Sequence, residues 1–151
     1  EEGGDMDASL FPGVSAEVRG VLDYYGTVTL LMEDGFPTTR SHHTPKAPEG
    51  QLLGGIYVME HPELAAKASA VTHITPDKKL PPFCIFHGTK DRTANARQSV
   101  ELYEKLRACG KEARLYLIAG ADHCGPEFWA EQAVNAAAGF MRECLEKPQE
   151  K

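Results

Sequence analysis

The chain has 151 residues, 42% of them hydrophobic and 25% charged, with a net charge of −6. That suffices for one soluble-type globular domain with a sizeable core. Acids and bases are interspersed, so the basic patch of a nucleic-acid binder is missing, and no apolar run reaches the roughly 18 residues of a membrane span. The four cysteines, at 84, 109, 124 and 144, have no C-x-x-C spacing; this argues against zinc, and Cys84, Cys109 and Cys144 read as buried free thiols. The first residue is Glu rather than Met. The chain therefore reads as trimmed or cut from something longer, and the compartment stays open between cytoplasmic and secreted.

Residues 1–13 are acidic, Gly-rich and unpatterned, and read as a loop or frayed end. Ser15 sits in Gly13-Val14-Ser15-Ala16-Glu17, which lacks the final Gly of G-x-S-x-G and any preceding strand. It reads as a turn or capping serine, not a nucleophile. Residues 17–25 carry β-branched and aromatic weight and predict a first strand ending at Gly26. Residues 26–61 are broken by three prolines and several glycines, leaving room for a short helix near 48–53. A loop of this length is often functional, and this one could cover a pocket. His42 and His43 within it read as solvated loop histidines, without the partners a metal site needs.

The segment from Pro62, PELAAKA, predicts a short helix with proline at its first position and Glu in its first turn. Residues 69–82 return as a loop. Phe83 to His87 is a continuous apolar run, as in a strand buried on both faces of a parallel sheet. A helix follows from about Thr93 or Asn95 to Cys109, with Val100, Tyr103, Leu106 and the Arg107 stem on one face, and Gly110 placed to end it. Ala113 to Ala119 alternates like a strand nearer the sheet edge. A last helix is expected from Pro126 to about Glu146, with Trp129, Ala133, Ala137, Phe140, Met141 and Cys144 as its apolar stripe. The order is strand, excursion, strand, helix, strand, helix. Two tight βα units at the end imply right-handed crossovers and a parallel sheet with flanking helices.

In such a sheet, ligands bind beyond the carboxyl ends of the strands. Asp91 lies at the turn after the second strand, and His123 at the turn after the third, 32 residues later. An acid and an imidazole on adjacent turns supply the orienting and proton-transferring parts of a catalytic triad. Each alone also fits a capping aspartate or a satisfied turn histidine. Acid before histidine, after an upstream serine, is the α/β-hydrolase order, yet no serine of this chain takes the nucleophile's place. A cysteine nucleophile at Cys124 is disfavoured because it is adjacent to its own base.

GVSAEVRGVLDYYG (13–26), EGQLLGG (49–55), HPELAAKAS (61–69), PPFCIFHGTKD (81–91) and the stretch from Gln98 to Gly125 together resemble the C-terminal part of an α/β-hydrolase. The closest likeness is to the esterase/lipase group with feruloyl- and acetyl-xylan-esterase-like proteins. The resemblance implies Asp91 as triad acid, His123 as triad base, and Tyr25 and Gly26 as substrate-binding positions. His87 is implied to be structural, packing the turn that presents Asp91. It implies no cofactor, no metal, and a small ester as substrate, carbohydrate-linked acyl esters among them. Related esterases often read Gly-Pro-Thr-Asp where this chain has Gly26-Thr27-Val28-Thr29. Residues 1–151 are then expected to be one incomplete α/β-hydrolase domain without the N-terminal strands, the nucleophile elbow and the oxyanion loop. Such a chain would pair with its missing half or with itself. Two rivals stand beside a serine ester hydrolase: a prolyl-oligopeptidase-type serine peptidase, and a non-catalytic fragment that associates with another chain.

Overall fold

A computed structural model describes residues 17–33, 35 and 37–147. Ser15 and residues 1–13 lie outside the described residues. Three strands form one sheet: β1 (Val21–Tyr24), β2 (Phe83–Gly88) and β3 (Ala113–Ile118). Their order is β1-β2-β3, and both pairings are parallel. β2 is therefore central, which is why five of its six residues are buried, and β3 is an edge strand, as its alternation implies.

Alternation along β2 divides the core. Ile85 faces a cluster with Leu102 and Leu106 of α3 (Arg97–Ala108), together with Val28, Val71 and Ile74. Cys84 and Phe86 face the opposite cluster, with Phe128 and with Ala137, Phe140 and Cys144 of α4 (Glu131–Glu146). One helix thus covers each face of the central strand. Each fully buried Ile, Leu or Phe here contributes about 1.5–3 kcal/mol. Tyr24, Phe86 and Tyr116 are register neighbours, and their rings stack at 4.9 and 5.0 Å across the sheet. All four cysteines are free thiols; Cys84 and Cys144 are buried, and Cys109 is only half-buried.

Two helical faces differ from the sequence expectation. The buried face of α3 is Gln98, Ser99, Leu102 and Leu106; Arg107 is exposed. Two polar residues lie inward because each serves a buried partner. Gln98 accepts hydrogen bonds from the Val28 and Thr29 backbone N–H groups and donates to the Thr29 carbonyl. Ser99 meets His87. The expected helix from Pro126 is broken: Pro126–Trp129 is a 3₁₀ turn, Ala130 is extended, and α4 starts at Glu131. The turn drives Phe128 wholly into the core and leaves Trp129 66% exposed, its ring lying over Tyr24 at 6.2 Å. Phe128, not Trp129, anchors this end. Met141 is likewise exposed.

The excursion from 26 to 61 is better ordered than its composition suggests. It contains α1 (Pro48–Leu52) and a 3₁₀ turn, Val58–Glu60, and leads into α2 (Pro62–Ala68). Leu30, Val58 and Ala65 form a small core of their own beneath it. Hydrogen bonds tie it to the turn after β2: the Thr39 N–H donates to the Arg92 carbonyl at 3.0 Å, and the Asn95 side chain donates to the Gly35 carbonyl.

Candidate active site

Parallel pairing brings the ends of β2 and β3 side by side, and local chemistry joins the turns that follow. At Gly88 a Cβ would lie 2.4 Å from the Ala121 carbonyl oxygen; glycine alone allows so close an approach. Across the gap, the Thr89 and Lys90 N–H groups donate to the Ile118 and Ala121 carbonyls, each at 3.0 Å. On the outer side, Asp122 accepts from the Arg92 backbone N–H at 2.9 Å and pairs with the Arg92 guanidinium. Those contacts hold the Asp122 carboxyl well down, at about 2.

Between these fastenings lies the acid–imidazole pair. Asp91 Oδ2 and His123 Nδ1 are 2.8 Å apart, with the Asp91 side chain fully buried and that of His123 27% exposed. Oδ1 accepts from the Thr93 and Ala94 N–H groups, each at 2.8 Å. His87 Nε2 lies 3.2 Å from Oδ2. Burial would raise the Asp91 carboxyl, but donation from His87, His123, Ala94 and Thr93 outweighs it and holds the group below the ordinary carboxylate range. An ionised Asp91 accepts only, so His123 carries its proton on Nδ1 and Nε2 is left to exchange protons elsewhere. His123, with Arg40, Arg92, Thr93 and Asp122, lines an open depression on the surface.

Tyr25 packs directly on the imidazole, ring centroids 4.5 Å apart, and meets Phe128 edge-on. A hydrogen bond with the Cys124 thiol, then burial, pushes its phenol up to about 12. Tyr25 and Cys124 have φ of 47° and 58°, a left-handed backbone that costs roughly 1–2 kcal/mol per L-residue. Gly26 follows, its N–H donated to Asp23 at 3.2 Å. A Cβ at Gly26 would lie 2.4 Å from that carboxylate. Among the described residues no group of three His, Cys, Asp or Glu side chains could hold a metal ion.

His87 is sealed. Its Nδ1 is 2.6 Å from Ser99 Oγ and its Nε2 is 3.0 Å from the Ala94 carbonyl. The neutral ring satisfies all three neighbours: Ser99 donates to Nδ1, and the Nε2–H is shared by Ala94 and Asp91. Ser99, His87 and Asp91 imitate a triad, but all three are fully buried and no substrate can reach them. His87 packs the turn that presents Asp91, as the sequence implied.

Neither His42 nor His43 is solvated as expected; His43 Nε2 is buried. His42 is not solvated: Nδ1 lies 2.8 Å from Glu49 Oε1 and Nε2 lies 2.5 Å from the Thr93 carbonyl. Glu49 itself is buried. Sequence reasoning missed this pair because its partners lie 7 and 51 residues away along an irregular segment. Thr93 also escaped notice, as its contribution is backbone alone.

The family model BD-FAE matches residues 5–106. This chain belongs to the BD-FAE family, an esterase-type α/β-hydrolase family. The match spans Asp91 and ends before His123. Among solved structures, the chain is similar to a truncated carbohydrate esterase from gut microbiota, with 24% identity and a TM-score of 0.73 over 86% of this chain. It is also similar to a bifunctional GH43-CE protein of Bacteroides eggerthii, at 25% identity and TM-score 0.72 over 89% of this chain. A third likeness is to the Thermogutta terrifontis esterase Est2 with butyrate bound, at 19% identity and TM-score 0.65 over 98% of this chain. The BD-FAE chain spans 44%, 18% and 51% of those three proteins. No curated protein matches it. The fold is that of the C-terminal portion of an α/β-hydrolase.

Proposed function

We propose that this BD-FAE chain carries the acid and base of a serine carboxylic-ester hydrolase. The observation that carries the reading is the 2.8 Å contact between buried Asp91 and half-buried His123, at the carboxyl ends of neighbouring parallel strands. His123 Nε2 takes the proton of a serine outside residues 1–151 as that serine attacks the ester carbonyl. Asp91 holds the Nδ1–H and stabilises the imidazolium. His123 then protonates the leaving alcohol, and water, activated by the same nitrogen, releases the acid. No metal or cofactor enters these steps. The substrate is a small ester; the carbohydrate esterases among the similar structures favour an acyl group carried on a sugar. Tyr25 and Gly26 border the place where it would sit, beside His123.

The serine belongs on strands that complete the sheet. Among the described residues β1 pairs only with β2, so its other edge is open, and an open edge invites a strand. Val134, Met141 and Leu145 of α4 are exposed at helical spacing, a stripe separate from the buried Ala137, Phe140 and Cys144. Both features suit residues 1–151 as one α/β-hydrolase domain finished by further strands, in the same polypeptide or in an associated one.

The test is hydrolysis of short-chain aryl esters by the full-length product of the gene. The expected result is turnover that falls at least a thousandfold in Asp91→Asn and His123→Ala. Cleavage of peptides with no ester turnover would favour the prolyl-oligopeptidase-type reading. No turnover of either would favour a non-catalytic, associating chain.

A further inference from the structure

Asp91 is presented by a turn, 91–95, that has no regular structure of its own. Its inner side is held by β2 and α3. Its outer side is held by the excursion. The Thr38 hydroxyl reaches the Asp91 carbonyl at 3.4 Å, the Thr39 N–H donates to the Arg92 carbonyl, and His42 Nε2 meets the Thr93 carbonyl. Thr93 is the residue whose own N–H donates to Asp91 Oδ1. His42 and the triad acid are therefore joined through one peptide residue.

Both neighbours of the His42 ring are acceptors, the Thr93 carbonyl and the Glu49 carboxylate. The ring thus bridges a buried carboxyl group and the Thr93 peptide through its two nitrogens. The side chains are only 17% and 10% exposed, and a charge-assisted bond in such surroundings is short and directional. Glu49 is itself fixed by α1, where Gly50 packs so closely that a Cβ would sit 2.0 Å from the Thr44 carbonyl oxygen. From this geometry we infer that His42 and Glu49 are positioning residues for the acid: Glu49 orients His42, His42 fixes the Thr93 peptide, and Thr93 aims the Asp91 carboxylate at His123. The excursion acts as a brace on the acid, apart from any role as a cover. In naming Asp91 as the acid this rests on the proposed function, but the brace itself acts on the Asp91–His123 hydrogen bond whether or not an ester is cleaved.

The proton on His123 Nδ1 reports that bond without reference to turnover. Its solvent-exchange rate is measured by NMR in the full-length gene product for wild type, Glu49→Gln, and Leu106→Val. Glu49→Gln keeps the shape and removes the charge; Leu106→Val weakens the core far from the turn and serves as the stability reference. The expected result is exchange at least tenfold faster in Glu49→Gln than in Leu106→Val at matched melting temperature. If Glu49→Gln does not fold, His42→Gln, which retains one N–H donor, is compared in its place with the same expectation. Equal exchange in the 42 or 49 variant and in the reference would overturn the inference. A full acceleration with an inactive full-length protein would uphold the brace and remove only the esterase reading.

Discussion

Asp91 has two histidine neighbours, and their surroundings differ in every respect that matters for chemistry. His87, four residues before it, is fully buried, and both ring nitrogens are spent on Ser99, Ala94 and Asp91. His123 arrives from the next turn, is 27% exposed, and gives Asp91 one nitrogen while the other is not needed there. The same Ser–His–Asp letters occur on the sealed side, where burial keeps solvent and substrate from the imidazole. Burial and hydrogen-bond accounting, not residue type, separate the sealed histidine from the one open to exchange a proton.

That contrast can be broken by truncating each ring. His87→Ala should cost about 3 kcal/mol, from an emptied buried site and three polar groups left without their partner. His123→Ala should cost less, about 1.5 kcal/mol, since the ring is part-exposed and its main loss is one hydrogen bond to a charged group. Urea unfolding of both variants measures the difference; equal costs would erase the distinction. A smaller effect sharpens it through acid. The folded-state carboxyl of Asp91 is depressed, so its stabilisation is complete above the ordinary carboxylate value near pH 4 and is lost as pH falls through the lower folded value. Asp122, held at about 2 by the Arg92 N–H and guanidinium, is lost in the window from its ordinary value down to that one. Asp122→Asn should remove its own, solvent-screened part and leave the Asp91 part. A loss of stability below about pH 4 that is the same in wild type and Asp91→Asn would show that Asp91 is not the depressed group.

How much was legible beforehand follows from how local each feature is. β2 and α3 announce themselves by apolar run and period, and the strand-end turns at Asp91 and His123 follow from parallel topology alone. The choice between Phe128 and Trp129 as anchor was not legible, since it depends on a 3₁₀ turn that rotates the two rings in opposite senses. Nor was the inward face at Gln98 and Ser99, because their partners, Val28, Thr29 and His87, meet them only in three dimensions. His42 and Glu49 were the largest omission: polar residues in a Pro-rich loop read as solvated until the loop is seen lying on the turn it braces. Tyr25 was expected near substrate; its ring lies against His123, a placement set by a left-handed residue that no pattern would predict for tyrosine.

The most direct test of the account is fluorophosphonate labelling of the full-length gene product, with wild type, His123→Ala and His87→Gln compared side by side. The reagent phosphonylates a serine oxygen, expelling fluoride, only when a base withdraws the serine's proton. The expected result is labelling of a serine outside residues 1–151, at least a hundredfold slower in His123→Ala and nearly unchanged in folded His87→Gln. Labelling of His123→Ala at the wild-type rate would contradict it.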